Sequence, residues 1–113
     1  MLDDWLDAHA DELIAFRRRL HAHPEISGEE YETTESIVER LEVAGLTPAV
    51  LASGTGVVCD IGATGPLVAL RADIDALQMP DEKDVHYSSQ NPGVAHACGH
   101  DVHTTAVLGA GLF

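Results

Sequence analysis

"HACGHDVHTTAVLGAGLF", residues 96–113, decides how the rest of the chain is read. Its first eight positions hold three histidines, a cysteine and an aspartate, and the remainder runs into an apolar stretch. The whole chain contains seven His and two Cys, so this concentration is local rather than compositional. Cys98 and His100 stand two apart, and in an extended or turning segment side chains at that spacing point to the same side. A thiolate and an imidazole so placed can reach one borderline-soft divalent cation, such as Zn²⁺ or a competing Mn²⁺, Co²⁺ or Ni²⁺. Gly99 lets the backbone turn tightly between them and adds no side chain to the coordination sphere. Asp101 is placed either to cap the following helix or to hold the far nitrogen of a ligating histidine. His103 falls in the first helical turn. The rival chemistry is a Cys98 nucleophile activated by His100 or His103. Cys and His so close in sequence rarely reach nucleophile–base geometry, which favours the metal.

The apolar run behind this cluster is expected to be a buried helix starting at Asp101 or Val102. It reaches Phe113 without a cap, a glycine stop or a polar tail. The expectation is therefore a chain that continues, with residues 1–113 the N-terminal piece of something longer. Upstream, "RADIDA" (71–76) lies where a short apolar run ends, the position at which catalytic side chains collect in α/β proteins. Asp73 and Asp75 share a face by the period of two, and Arg71 can pair with Asp73. A structural ion pair and a catalytic carboxylate are equally compatible with that spacing.

The remaining chain supplies a scaffold. Leu6, Ala10, Leu13, Phe16 and Leu20 recur at helical steps, which predicts a helix over 3–21 with an acidic start and an Arg17-Arg18-Arg19 end read as a solvated last turn. Pro24 stops it by His23. "SGEE" (27–30) reads as a capping box opening a second helix that ends at Gly45. Tyr31, Thr34, Ile37 or Val38, Leu41 and Ala44 form its inner face, and glutamates its solvated outer one. "GVVCDIG" (56–62) and "PLVALRA" (66–72) read as two buried strands of a hairpin, with Cys59 an inert core thiol. Residues 76–95 read as a long irregular loop. This alternation predicts an α/β fold with helices packed on a mixed sheet.

Totals narrow the function classes. A chain of 113 residues with 45% hydrophobic content is one domain's worth, with a core built from aliphatics because aromatics make up only 4%. The formal charge of −13 repels polyanions, so neither nucleic acid nor an anionic membrane is expected as a partner. Two cysteines make no disulfide framework, and the N-terminus lacks a signal-peptide pattern, so the cytoplasm is the expected location.

Three blocks in order, "RRRLHAHPEISGEEYETT" (17–34), "GTGVVCDIGATGPLVALRADIDAL" (54–77) and "PGVAHACGHDVHTTAVLGA" (92–110), resemble the N-terminal segments of the M20 metallopeptidases. The branch is that of the amidohydrolases acting on N-acyl amino acids, including hippurate and auxin-conjugate hydrolases. The resemblance runs from about Leu13 to the last residue. It implies the N-terminal part of a two-metal, aminopeptidase-like catalytic domain, working with two divalent ions, Mn²⁺ or Zn²⁺. It places metal-ligand roles on Cys98 and His100 and makes Asp73 the supporting catalytic carboxylate. Arg71 stands where sister branches carry a histidine, and Asp101 and His103 match supporting positions. The general base, further ligands and a dimerisation or lid domain would lie beyond residue 113, which implies a homodimer at full length. Gln78 departs from the pattern, a proline being usual there. A hypothesis of another class remains: a small non-catalytic metal-binding or interaction module.

Overall fold

The computed structural model describes residues 1–113 as three helices, one short ladder and long connecting segments. Helix α1 covers Leu2–Ala22, one residue beyond the expected span at either end. Asp3 and Asp4 lie in its first turn and Arg19 and His21 in its last, each sign facing the helix-dipole end it favours. His23 leaves helical geometry at φ −124°, as the following proline requires.

Helix α2 covers Tyr31–Val43 and starts later than the capping-box reading placed it. The Ser27–Glu30 box does not form. The Glu30 carboxylate instead accepts from the Glu29 backbone N–H. The exposed donors of α2 are taken by Glu25, whose two carboxylate oxygens accept from the N–H groups of Glu32 (3.0 Å) and Thr33 (2.6 Å). A residue next to Pro24 thus reaches across the turn and satisfies what Ser27 was expected to satisfy. At the other end Gly45, with φ +83°, lets the Leu46 N–H close back onto the Leu41 carbonyl. Thr33, Thr34, Ser36, Ile37 and Leu41 form the buried face, whereas Tyr31 is exposed.

The sheet differs most from expectation. Strand β1 (Ala49–Val50) pairs antiparallel with β2 (Val57–Val58), so the partner of the 56–62 run lies before it rather than after it. Residues 66–72 form no strand, and Leu67, Val68 and Leu70 are 85%, 83% and 70% exposed. A strand requires a neighbour to take its backbone hydrogen bonds, and none lies alongside this run. The expected hairpin between the two runs is therefore absent. Isolated bridges, Ile26–Ala76 parallel and Leu77–Ala95 antiparallel, tie the central segment to its surroundings. The α/β class holds, with this small antiparallel ladder as its β part.

The 76–95 segment is irregular, as read, but it is pinned. Gln90 donates its backbone N–H to the Ala22 carbonyl, and the Asn91 side-chain amide donates to the Pro24 carbonyl. The apolar core is thin. Ile37, Leu41 and Leu108 form its centre, with Phe16, Val57, Ile74 and the half-buried Cys59 packed around them. Helix α3 (His100–Leu112) packs chiefly on α1. Its sequence is apolar from Ala106 onward, yet it buries mainly Asp101, Thr104, Thr105, Leu108 and Gly109.

Candidate metal centre

The cluster read from residues 96–103 sits at the head of α3. Gly99 caps the helix in the left-handed conformation, φ +78°, where its carbonyl accepts from the N–H groups of Val102 and His103. Cys98 is an exposed free thiol on the approach to this turn, and His100 is the first residue of the helix. The imidazole of His100 is 20% exposed. Its Nδ1 lies 2.9 Å from the carbonyl oxygen of Asp75 and 3.0 Å from the Asp75 carboxylate. The His103 ring stands 6.0 Å from that of His100, centroid to centroid, and lies over Gly99.

The "RADIDA" segment meets α3 at two points. Besides the Asp75–His100 contact, the Thr104 hydroxyl donates to the Asp73 carbonyl at 3.1 Å. The Asp73 side chain is half-exposed and pairs with Arg71 at 2.5 Å, as their spacing suggested. Asp75, which the sequence reading passed over in favour of Asp73, is the carboxylate that touches the candidate ligand. The signal was present in the sequence: an aspartate two positions on, on the same face. Nothing local said which of the two would meet His100.

Asp101 is engaged elsewhere. Its carboxylate, almost fully buried, accepts from Arg17 Nε and lies against His21 Nδ1, both at 2.8 Å. It makes no helix-capping bond and no contact with His100 among the hydrogen bonds of the site. The other nitrogen of His21 faces the Asp81 carboxylate at 3.2 Å, and Lys83 closes the group at 3.6 Å from Asp81. Arg17 therefore belongs to a buried charge network rather than to a solvated last turn. Arg17 and Arg18 also lie over the ring of Tyr87, at 5.3 and 4.7 Å. The backbone N–H of Ser89, above all, lowers the Asp81 carboxyl to about 2 against the opposing effect of burial. Burial pushes the Asp101 carboxyl up, but the His21 hydrogen bond and the Arg17 charge outweigh it and hold it below its ordinary range.

His96, buried to 4% exposure, has both ring nitrogens without a protein partner. Burial lowers its pKa, so the neutral ring is favoured at this position.

Cys98 offers a thiol to solvent, and His100 keeps Nε2 unengaged by any hydrogen bond while Nδ1 is held from behind. These are the donor types of a zinc-like ion, and the carboxylate behind the imidazole is the arrangement that orients such ligands. No group of three or more His, Cys, Asp or Glu side chains converges anywhere in the structure. The residues present fit a metal as part of its shell.

Comparison with known proteins gives the family. The sequence pattern of "Peptidase family M20/M25/M40" matches residues 69–112. The Bacillus subtilis (strain 168) N-acetyl-L-cysteine deacetylase is 48% identical over 101 residues, which are 88% of this chain and 24% of that protein. A Rhodococcus jostii (strain RHA1) protein provisionally named glutamate–cysteine ligase 2-3 is 50% identical over 99 residues, 87% of this chain but only 12% of that one. The crystal structure of the Bacillus subtilis YXEP protein, described as a dinuclear metal binding peptidase from the M20 family, superposes with a TM-score of 0.89. It is 39% identical and covers 94% of this chain and 31% of its own. The chain belongs to the M20 peptidase family. It spans about a quarter of the length of the deacetylase it matches.

Proposed function

We propose that residues 1–113 are the N-terminal portion of the catalytic domain of a metal-dependent amidohydrolase, one that cleaves the amide bond of N-acyl amino acids or small peptides. One observation carries this reading: the back-held imidazole of His100 at the glycine-capped head of α3, two residues along the chain from a free, exposed thiol, in a chain of this family. Cys98 and His100 would hold a divalent cation, Mn²⁺ or Zn²⁺, as part of a pair. Bound there, such cations supply an acidified water and a Lewis acid for the scissile carbonyl oxygen. Asp73 would steady the surrounding segment through its carbonyl on Thr104 and its pair with Arg71. Asp101 and His103 would act through the position of the α3 head. No residue of this chain is assigned the general base. The full enzyme is proposed to be a cytoplasmic homodimer with a dimerisation or lid domain outside this segment. Neither nucleic acid nor membrane is proposed as a partner: the charge is −13, and no helix is long and apolar enough to cross a membrane.

Two donors fill only part of the about four positions of a zinc shell. The 113-residue chain is therefore expected to bind metal weakly and to turn over no substrate. Incubation with Mn²⁺ or Zn²⁺ and an N-acyl amino acid tests this. Metal-dependent release of free amino acid by the chain alone would overturn the partial-site reading, and metal binding unchanged in Cys98→Ala would overturn the ligand assignment.

A second reading, a small non-catalytic metal-binding or interaction module, has one observation in its favour. An open groove of about 930 Å³ runs between α1 and α3, lined by Trp5, Leu6, Ile14, Val102, Ala106 and Phe113, and it includes neither Cys98 nor His100. Tight one-to-one metal binding by the isolated chain would favour this reading over the hydrolase.

A further inference from the structure

We propose that Asp75 is the positioning residue for His100: its carbonyl and its carboxylate together hold the proton on Nδ1, so that Nε2 is the nitrogen offered to a metal. This rests on the reading of His100 as a metal ligand and adds the residue that decides how the ring is presented.

The argument is one of lone pairs. Two oxygens of one residue, the Asp75 carbonyl at 2.9 Å and carboxylate at 3.0 Å, converge on a single ring nitrogen. Both oxygens are acceptors, so an unprotonated Nδ1 would set its lone pair against two others. A protonated Nδ1 shares one N–H between them. In the neutral ring the lone pair then belongs to Nε2.

The two acceptors have different consequences. The carbonyl alone is enough to fix the tautomer. The carboxylate adds negative charge behind the ring, which favours a cation on its far side. No other group near His100 can take this role. Asp73 is bonded to Arg71 and half-exposed, and Asp101 is turned toward Arg17 and His21. His103 stands 6.0 Å away, ring to ring, and is no acceptor for Nδ1. Asp75 is held for the task at 30% side-chain exposure, between the Asp73–Thr104 bond and the Ala76 N–H bonded to the Glu25 carbonyl.

The first test uses no metal and no variant. Two-bond nitrogen–proton correlation on the 113-residue chain with labelled histidine, in alkaline buffer, reports which His100 nitrogen carries the proton. Nδ1–H is expected, and Nε2–H would overturn the proposal. In Asp75→Asn the tautomer should persist, since the backbone carbonyl remains, while the Nδ1 resonance moves. Asp84→Asn, at an exposed carboxylate outside the site, should leave that resonance in place.

The second test is a Co²⁺ titration followed by thiolate-to-cobalt absorption. Asp75→Asn should weaken binding about tenfold or more, the range for such partners of a ligating histidine. Asp84→Asn should leave binding unchanged. Equal losses in both variants would remove the distinction and the proposal with it. Absence of any cobalt–thiolate band in the unaltered chain would overturn the metal reading instead. The tautomer measurement would still decide the Asp75 contact.

Discussion

Two regions of comparable length contrast in how they meet their physical obligations. Where α1, Asp81 and the head of α3 converge, a small set of charged groups is drawn inward and paired: Arg17, His21, Asp81 and Asp101 interlock within 2.8–3.2 Å, with Asp101 Oδ1 the one carboxylate oxygen of Asp101 left without a partner. From Ile61 to Leu70 almost every group is apolar or backbone, and the whole stretch is exposed without a sheet partner. The first region is polar by composition and ends up interlocked. The second reads as core and lies on the surface. Hydrophobicity specifies burial only when a covering element is at hand, whereas a hydrogen-bonded ion network carries its own partners with it. The candidate metal centre is built on the first kind of region: Asp101 follows His100 directly and locks the head of α3 to α1.

The contrast breaks most severely at Asp101. Replacement by alanine leaves His21 and Arg17 without their shared acceptor in a buried site, and truncating one member of such a network costs about 3–5 kcal/mol. Urea unfolding of Asp101→Ala should show that loss, and a change below about 1 kcal/mol would reduce the network to a surface-grade interaction. Next is the apolar anchor. Leu108→Ala empties the centre shared with Ile37 and Leu41, and a loss of about 2–4 kcal/mol is expected by the same measurement.

Acid sharpens the comparison. The Asp81 carboxyl is lowered from 3.8 to about 2 in the fold, so the unfolded chain binds the proton more readily. Its contribution, on the order of 2 kcal/mol, is present above about pH 4 and lost as pH falls toward 2. In Asp81→Asn the acid limb of the stability–pH curve should flatten by that amount. The smallest effect is expected in the other region. Val68→Thr removes an 83% exposed side chain from contact with nothing, so stability should shift by less than about 0.5 kcal/mol. Its visible effect should be a higher concentration threshold for aggregation, because one apolar residue leaves an exposed run. A large destabilisation there would mean that 66–72 is packed in solution and that the contrast is false.

Much of the scaffold was legible. Both outer helices announced themselves by period and charge, and Pro24 and Gly45 marked their ends. The tight turn at Gly99, between Cys98 and His100, followed from three adjacent letters. The capping of α2 was misread because Ser27 and Glu30 are near in sequence, whereas Glu25 is near in space. The choice between Asp73 and Asp75 was open for a similar reason: alternation states which residues share a face but not what that face meets.

By itself, the sequence determined the helices, the irregular central loop and the glycine turn between Cys98 and His100, since each rests on interactions within a few residues. Only the tertiary structure decided that Asp75 stands behind His100, that Asp101 serves His21 and Arg17, and that the run at 66–72 has no strand beside it. Those outcomes depend on contacts between residues 25 to 84 positions apart, and no local pattern encodes which distant partner arrives.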